Sequence, residues 1–337
     1  MKPWERQHNI VWLYTLKCFH EPQGLALIAS VFSGWSVGNV EELSHILALD
    51  KTLKNAHKHS YAPAFYPHEA LPLAKASQTM SFNSLSQWDS YAETLASWTS
   101  LGLRINPKLQ LKQPSYCDSS HAQSRFGVDT QKFQEAYQQN PTRFKVLQGL
   151  HFHAFCHQET PALAQLFAHI LLHYTWLLPS LQWLNLGGGQ NFTADDYDSI
   201  MFHETIEDFE IQYPHITLYF EPASSVVENT GYFRCSILDI IDADIPKVIL
   251  NTSIETHLLD VAITQRTLEV RGTSSTPTAY TYELTGMSCI AGDSLGVYHF
   301  DSPLEQGDTL IFDNMIGYTL VKQTTFNGIQ KAPFILA

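Results

Sequence analysis

The sequence is short of charge, of basic residues, of long apolar runs and of paired cysteines, and each shortage removes a class of protein. Only 16% of residues are charged while 44% are hydrophobic, which excludes a disordered chain and fits one that buries a core. Lys and Arg number 20 against 33 Asp and Glu, a net charge of −13 that argues against a nucleic-acid partner. The acidic balance suits a cationic small molecule, although acidic surfaces commonly serve only solubility. The most apolar stretch, Leu163 to Leu178, carries Gln165, His169 and His173 and stops at Pro179, too short and too polar to span a bilayer, so no membrane partner is expected. The N-terminus, Met1 to Arg6, lacks the apolar run of a signal peptide. The five cysteines (Cys18, Cys117, Cys156, Cys235 and Cys289) are odd in number and have no close pairs, which implies a reduced, cytoplasmic protein without a disulfide framework.

What the chain does have is alternation. Strand candidates end near Lys17, Val37, Phe65, Phe82, Asn106, His153, Leu186 and Glu221, with helical patterns between most of them. The clearest helix is the stripe Leu163, Leu166, Phe167, Ile170, Leu171, Tyr174. Eight strands with intervening helices predict an α/β fold, a closed (β/α)8 TIM-type barrel. After Pro222 the pattern changes to short strand-like runs separated by turns such as Ala291-Gly292-Asp293, which predicts a β-domain. The expected division is a barrel over residues 1–223 and a β-domain over 224–337.

Residues able to do chemistry fall at strand ends, where barrels gather function. Lys17 closes Ile10-Val11-Trp12-Leu13-Tyr14-Thr15-Leu16. An amine held in an apolar pocket has a lowered pKa and can bond an aldehyde as a Schiff base, whereas a strand-end lysine more often snorkels to solvent. His151 and His153 lie two apart on a strand and face the same way. They read as a metal pair completed by Cys156 or His157, as tolerated polar residues, or as an imidazole stacked on a ring. No carboxylate or second cysteine at suitable spacing supports the metal reading, so no metal is expected. Gly187-Gly188-Gly189 follows Trp183-Leu184-Asn185-Leu186 and precedes a helix expected near Thr193. Three glycines let backbone approach an anion, with N–H groups and a helix N-terminus as donors, and the alternative is a flexible loop. Glu221 before Pro222 could hold a pyridine nitrogen protonated, or it is a surface or capping carboxylate. Cys289 reads as a proton donor or as a small buried apolar residue.

The order of these features resembles the fold-type III (alanine racemase-like) pyridoxal-phosphate decarboxylases, which include ornithine and diaminopimelate decarboxylases, and among them the carboxynorspermidine/carboxyspermidine decarboxylases. The matching segments span nearly the whole chain. They are Leu16-Lys17-Cys18-Phe19, Leu150-His151-Phe152-His153 with Cys156, Trp183 to Gly189, Asn229-Thr230-Gly231-Tyr232, Thr252-Ser253 with His257 and Asp260-Val261, Ser288-Cys289 with Ala291-Gly292-Asp293, and Thr325-Phe326-Asn327-Gly328. The resemblance implies pyridoxal 5'-phosphate as cofactor, a cationic polyamine substrate and a homodimer with shared sites. It implies that Lys17 bonds the cofactor, that His153 stacks on its ring and that Glu221 pairs with its nitrogen. Gly187, Gly188, Gly189 and Tyr318 would hold the phosphate. Cys289 and Asp293 would reach the partner's site, and Arg125 and Glu42 would lie near the substrate.

Departures from the family pattern are also present. The family begins with a strand and helix of about forty residues before its lysine, where this sequence has sixteen. One barrel face is therefore expected to lack a covering helix. Ala223-Ser224 stands for Gly-Glu, Gln190-Asn191 for a histidine pair, His157 for an acid, Asn251 for an aspartate and Met287 for a proline. These changes leave two rivals in view: a degenerate member that acts by binding, and a decarboxylase of another diamino acid.

Overall fold

In the computed structural model, residue 4, residues 7–49 and residues 56–336 are described. Of the N-terminal stretch read above, all but Trp4 lies outside them. The chain forms two compact units, Met1–Val226 and Val227–Ala337.

The first unit is a barrel of eight parallel strands: β1 Ile10–Thr15, β2 Gly34–Val37, β3 His57–Tyr61, β4 Thr79–Phe82, β5 Ser100–Asn106, β6 Leu147–Phe152, β7 Trp183–Asn185 and β8 Thr217–Phe220. The order is β4-β3-β2-β1-β8-β7-β6-β5, and pairing of β4 with β5 closes the ring. A two-residue strand, Val128–Asp129, adds to the edge of β5. Helices follow the first seven strands: α1 Pro22–Ile28, α2 Val40–Leu47, α3 Pro67–Ala76, α4 Leu85–Leu95, α5 Thr130–Gln139, α6 Thr160–Tyr174 and α7 Ser199–Gln212. Their starts are written locally. Asn39, Ser84, Asp129 and Asp198 each accept a first-turn N–H with the side chain, and Pro stands in the first turn of α1, α3 and α6. The apolar stripe of α6 buries Leu163, Leu166, Phe167, Ile170 and Tyr174 against the barrel.

Two sequence expectations shift here. The strand expected to end at Phe65 ends at Tyr61, because Pro63 cannot donate to a parallel ladder. The helix expected near Thr193 starts at Ser199. Asp198 takes its cap position, and the Thr193 hydroxyl donates to the carbonyl of Ser225.

Inside the barrel, strand alternation points every second residue at the axis. Leu13, Trp183 and Tyr219 form the floor. The Trp183 indole lies across the barrel and donates from Nε1 to Ser100 Oγ at 2.8 Å. It fits because its neighbours lack side chains: a Cβ on Gly149 or Gly102 would stand 2.1 or 2.2 Å from its ring. Outside β1, Trp12 packs on Phe220, Phe202 and Trp4.

The second unit carries a mixed six-stranded sheet: β9 Tyr232–Ile241, β10 Lys247–Leu250, β11 Thr273–Ser274, β12 Tyr280–Thr285, β13 Ser294–Phe300 and β14 Thr309–Asp313, in the order β11-β13-β12-β10-β9-β14. All pairings are antiparallel except β10 with β12. Residues two apart (Cys235 and Ile237, Val248 and Leu250, Leu310 and Phe312) line its core, as the strand period requires.

Gly149→Ala is therefore expected to destabilise the barrel by about 1–3 kcal/mol in urea unfolding, the usual cost of overpacking. Trimming the ring with Trp183→Leu in the same chain should recover part of the loss. An alanine variant as stable as the parent would remove the floor argument.

Candidate active site

Above the floor the inward positions turn polar. Lys17 lies just past β1 in a single 3-10 turn, Leu16–Cys18, whose flanking residues Leu16 and Cys18 are buried. Burying both neighbours turns the lysine the other way. Its side chain is reached by solvent yet walled by protein, as befits a group standing in a cleft. That enclosure lowers the amine's pKa. The Arg104 charge lowers it further, while Glu221, Glu42 and Cys18 pull it up.

Glu221 closes β8 with 8% of its surface exposed. Its Oε1 accepts from Asn185 Nδ2 at 2.8 Å. Burial raises its pKa, against the pull of hydrogen bonds from Asn185 and Ser36 and of the Lys17 and Arg104 charges. His153 follows β6. Its Nδ1 accepts the Gly188 N–H at 3.0 Å, which puts the ring proton on Nε2. Burial first, then the Arg104 and Lys17 charges, hold it well below the usual histidine range, so the ring is neutral.

The triple glycine is required by close approach. Cβ atoms on Gly187, Gly188 and Gly189 would stand 2.4 Å from His153 Nδ1, 2.1 Å from the Glu221 carbonyl and 2.0 Å from the Phe155 carbonyl. Gly187 and Gly189 also have φ of +68° and +89°. The Gly187 N–H donates to Asn185 Oδ1 and the Gly188 N–H to His153. With α7 beginning at Ser199, the helix N-terminus expected directly behind the loop is not there. The loop is thus a thin wall pressed between the ends of β6 and β8.

Glu42, on α2, accepts the Gly38 N–H at 2.7 Å and faces Lys17 electrostatically. Arg125 is exposed, stacks on Phe126 at 4.3 Å and lies close enough to Tyr61 and Arg104 to influence both.

Sequence reasoning missed Arg104, Tyr61 and Asn185. Arg104 is 3% exposed and points inward from β5. Its guanidinium lies 4.7 Å from the Tyr61 ring centre and 4.8 Å from that of Phe126, and it donates to the His153 carbonyl at 3.2 Å. The signal was available. Leu103-Arg104-Ile105-Asn106 alternates, and a basic residue on the inward phase of a barrel strand has nowhere to go but the mouth.

The reading of a reduced chain is overturned. Cys117 and Cys156 form a disulfide. They lie 39 residues apart, and the pairing of β5 with β6 brings their loops together. That bond also removes Cys156 from the proposed metal set, and among the described residues no group of His, Cys, Asp and Glu could hold a metal. Cys18, Cys235 and Cys289 are in no disulfide.

Cys289, Asp293 and Tyr318 belong to the second unit. Cys289 is exposed, and its N–H donates to Asn327 Oδ1 at 2.8 Å. Asp293 is 4% exposed, and its two oxygens accept the N–H groups of Ile254 and Ser288 at 2.8 and 3.0 Å, so it pins the loop that presents Cys289. Tyr318 opens the short helix Tyr318–Val321, with the Lys322 amine 4.9 Å from its ring centre.

A barrel mouth holding a partly desolvated lysine, a neutral imidazole, a buried carboxylate and a glycine wall is that of a pyridoxal-phosphate enzyme. Residues 1–228 match the family described as "Pyridoxal-dependent decarboxylase, pyridoxal binding domain", and the chain belongs to that family. It is similar to a carboxyaminopropylagmatine decarboxylase of Synechocystis sp., 35% identical over 274 residues, 80% of this chain and 69% of the relative. It is also similar to a carboxynorspermidine/carboxyspermidine decarboxylase of Campylobacter jejuni, 32% identical over 290 residues, 82% of this chain and 74% of the relative. The crystal structure of Campylobacter jejuni carboxynorspermidine decarboxylase complexed with norspermidine matches with a TM-score of 0.84 and 29% identity, covering 96% of this chain and 86% of that one.

The residues present fit the cofactor. The amine is biased toward its neutral, aldehyde-reactive form, and the buried carboxylate calls for a cationic partner. Since the Arg104 charge depresses the Lys17 pKa, Arg104→Ala should raise it. The pH dependence of the rate at which cofactor-free protein captures pyridoxal phosphate reads this directly. Its midpoint should lie below that of an ordinary lysine and move upward in the variant. A midpoint that stays or falls would contradict the assignment.

Proposed function

We propose that this chain decarboxylates a carboxylated polyamine, carboxynorspermidine or carboxyspermidine, to give norspermidine or spermidine in polyamine biosynthesis. The observation that carries the reading is the 0.84 TM-score likeness, at 29% identity over 96% of the chain, to an enzyme crystallised with norspermidine. The intact set Lys17, His153 and Glu221 supports turnover.

Lys17 would hold the cofactor through its amine, Glu221 its ring nitrogen, and His153 its ring face. The loop Gly187 to Gly189 would lie against its phosphate. When bound, the cofactor supplies an electron sink for the pair left behind as carbon dioxide departs. Glu221, buried and steadied by Asn185, keeps a proton on the ring nitrogen so that the sink stays open. Arg104 lines the mouth with positive charge, and its lowering of the Lys17 pKa makes the amine easier to engage and release. Cys289, exposed on its loop, is suited to deliver a proton to the substrate carbon, and Asp293 holds that loop in shape. Glu42 and Arg125 offer one acidic and one basic contact for the substrate. In this reading the active form is a homodimer in which Cys289, on the loop that Asp293 holds, completes the partner's site.

A second reading has its own support. The 35% identical relative acts on carboxyaminopropylagmatine, which would make the substrate's distal group a guanidine. A substrate panel separates the two. Carbon dioxide release is expected from carboxynorspermidine or carboxyspermidine, and none in Lys17→Ala, which should also lose the bound cofactor's visible absorbance. Cys289→Ala should lower kcat by about 10²- to 10⁴-fold, the range of a lost general acid. Release from carboxyaminopropylagmatine alone would transfer the assignment to the second reading. A chain that binds cofactor but releases nothing from any panel member would be the degenerate relative.

A further inference from the structure

One side chain at the mouth has no part in the roles above. His151 stands on β6 between Gly149, which faces the Trp183 floor, and His153 at the mouth. It is 1% exposed, and neither ring nitrogen has a hydrogen-bond partner. An imidazole stripped of water with both nitrogens idle is unfavourable unless something else uses them.

Its surroundings narrow what that is. Tyr61 and His59 meet the ring edge-on, with centroids at 5.0 and 5.3 Å. Nε2 lies 3.8 Å from Glu221 Oε2, just beyond hydrogen-bond reach. The other oxygen, Oε1, already accepts from Asn185 at 2.8 Å. His59 also approaches this carboxylate, at 4.0 Å, but its nitrogens are engaged, Nδ1 with Thr79 Oγ1 at 2.8 Å and Nε2 with Ser81 Oγ at 3.1 Å. Of the two histidines, only His151 has a nitrogen to give.

The charges facing Glu221 explain why a neutral donor suits the position. Lys17 and Arg104 supply positive charge, and Tyr61, His59 and His151 complete the titratable groups around it. A third cation would repel a protonated ring nitrogen. Burial first, then His59, Arg104, His153 and Lys17, hold His151 well below the usual histidine range, so it remains neutral. A neutral imidazole N–H stabilises an ionised carboxylate without adding charge.

We propose that His151 is a positioning residue which donates from Nε2–H to Glu221 Oε2 when that carboxylate is ionised against the cofactor's ring nitrogen, fixing both its charge and its aim. This rests on the assignment of Glu221 to the ring nitrogen given above.

Two substitutions separate the hydrogen bond from packing. His151→Phe keeps a ring and removes both nitrogens, while His151→Gln returns an N–H near the Nε2 position. The readouts are the dissociation constant for pyridoxal phosphate added to stripped protein and the pH profile of the bound cofactor's visible absorbance. The phenylalanine variant is expected to bind cofactor about 10- to 100-fold more weakly, the loss of a hydrogen bond to a charged group. Its absorbance profile should shift in pH, and the glutamine variant should restore both. In a Glu221→Gln background, His151→Phe should produce no further shift. If the phenylalanine variant does not fold, the glutamine variant decides alone: a profile like the parent's is expected, and one like that of Glu221→Gln overturns the role. A parent chain that binds cofactor while the phenylalanine and glutamine variants both match it removes only His151. A parent chain that binds none removes the reading of the site as well.

Discussion

The constraint on which the barrel unit depends is a carboxylate kept from water between two cations. Glu221 is buried at the end of β8, with the Lys17 and Arg104 charges close enough to affect it. In so dry a setting each charge reaches further than it would in solvent. The lysine is pulled toward neutrality by enclosure and by Arg104, and back toward charge by the carboxylate. Asn185 and Ser36 share the load with neutral dipoles. None of these groups is placed by a long-range accident. Lys17 and Glu221 close adjacent strands, β1 and β8, and Asn185 ends the next strand round, β7.

The groups that sequence reading found were those whose position alone is informative. Lys17, His153 and Glu221 close apolar runs, and a triple glycine is visible in any register. The groups it missed are informative only once it is known which face of a strand looks inward. Arg104 and His59 sit inside strands and Tyr61 and Asn185 end theirs, where a polar residue reads as an interruption until the barrel axis is drawn. β3, His57-Lys58-His59-Ser60-Tyr61, is almost wholly polar, and the strand expected there was placed four residues too far along, ending at Phe65. The Cys117–Cys156 bond is likewise a product of tertiary adjacency, and neither spacing nor composition encodes it.

In the second unit the sequence showed three of the six strands but not the division of labour in the loop before β13. Cys289 and Asp293 read as a pair. The structure separates them: the thiol is exposed, and the carboxylate is buried and ties Ser288 of this loop to Ile254 in the segment after β10. A short acidic side chain is well suited to that task, because each of its oxygens can take one N–H without reorganising the other.

The indole that seals the barrel below the mouth has a consequence for how enzymes of this kind diversify. Trp183 is wedged in place by the missing side chains of Gly102 and Gly149 and tied by Ser100, so deepening the cup means giving up the indole and the packing it supplies. A longer or bulkier substrate is accommodated at less cost at the rim. The rim consists of loops, among them the stretch bearing Arg125 and the stretch tethered through Cys117. Variation in what is accepted is thereby channelled into segments that can change without disturbing the reacting end.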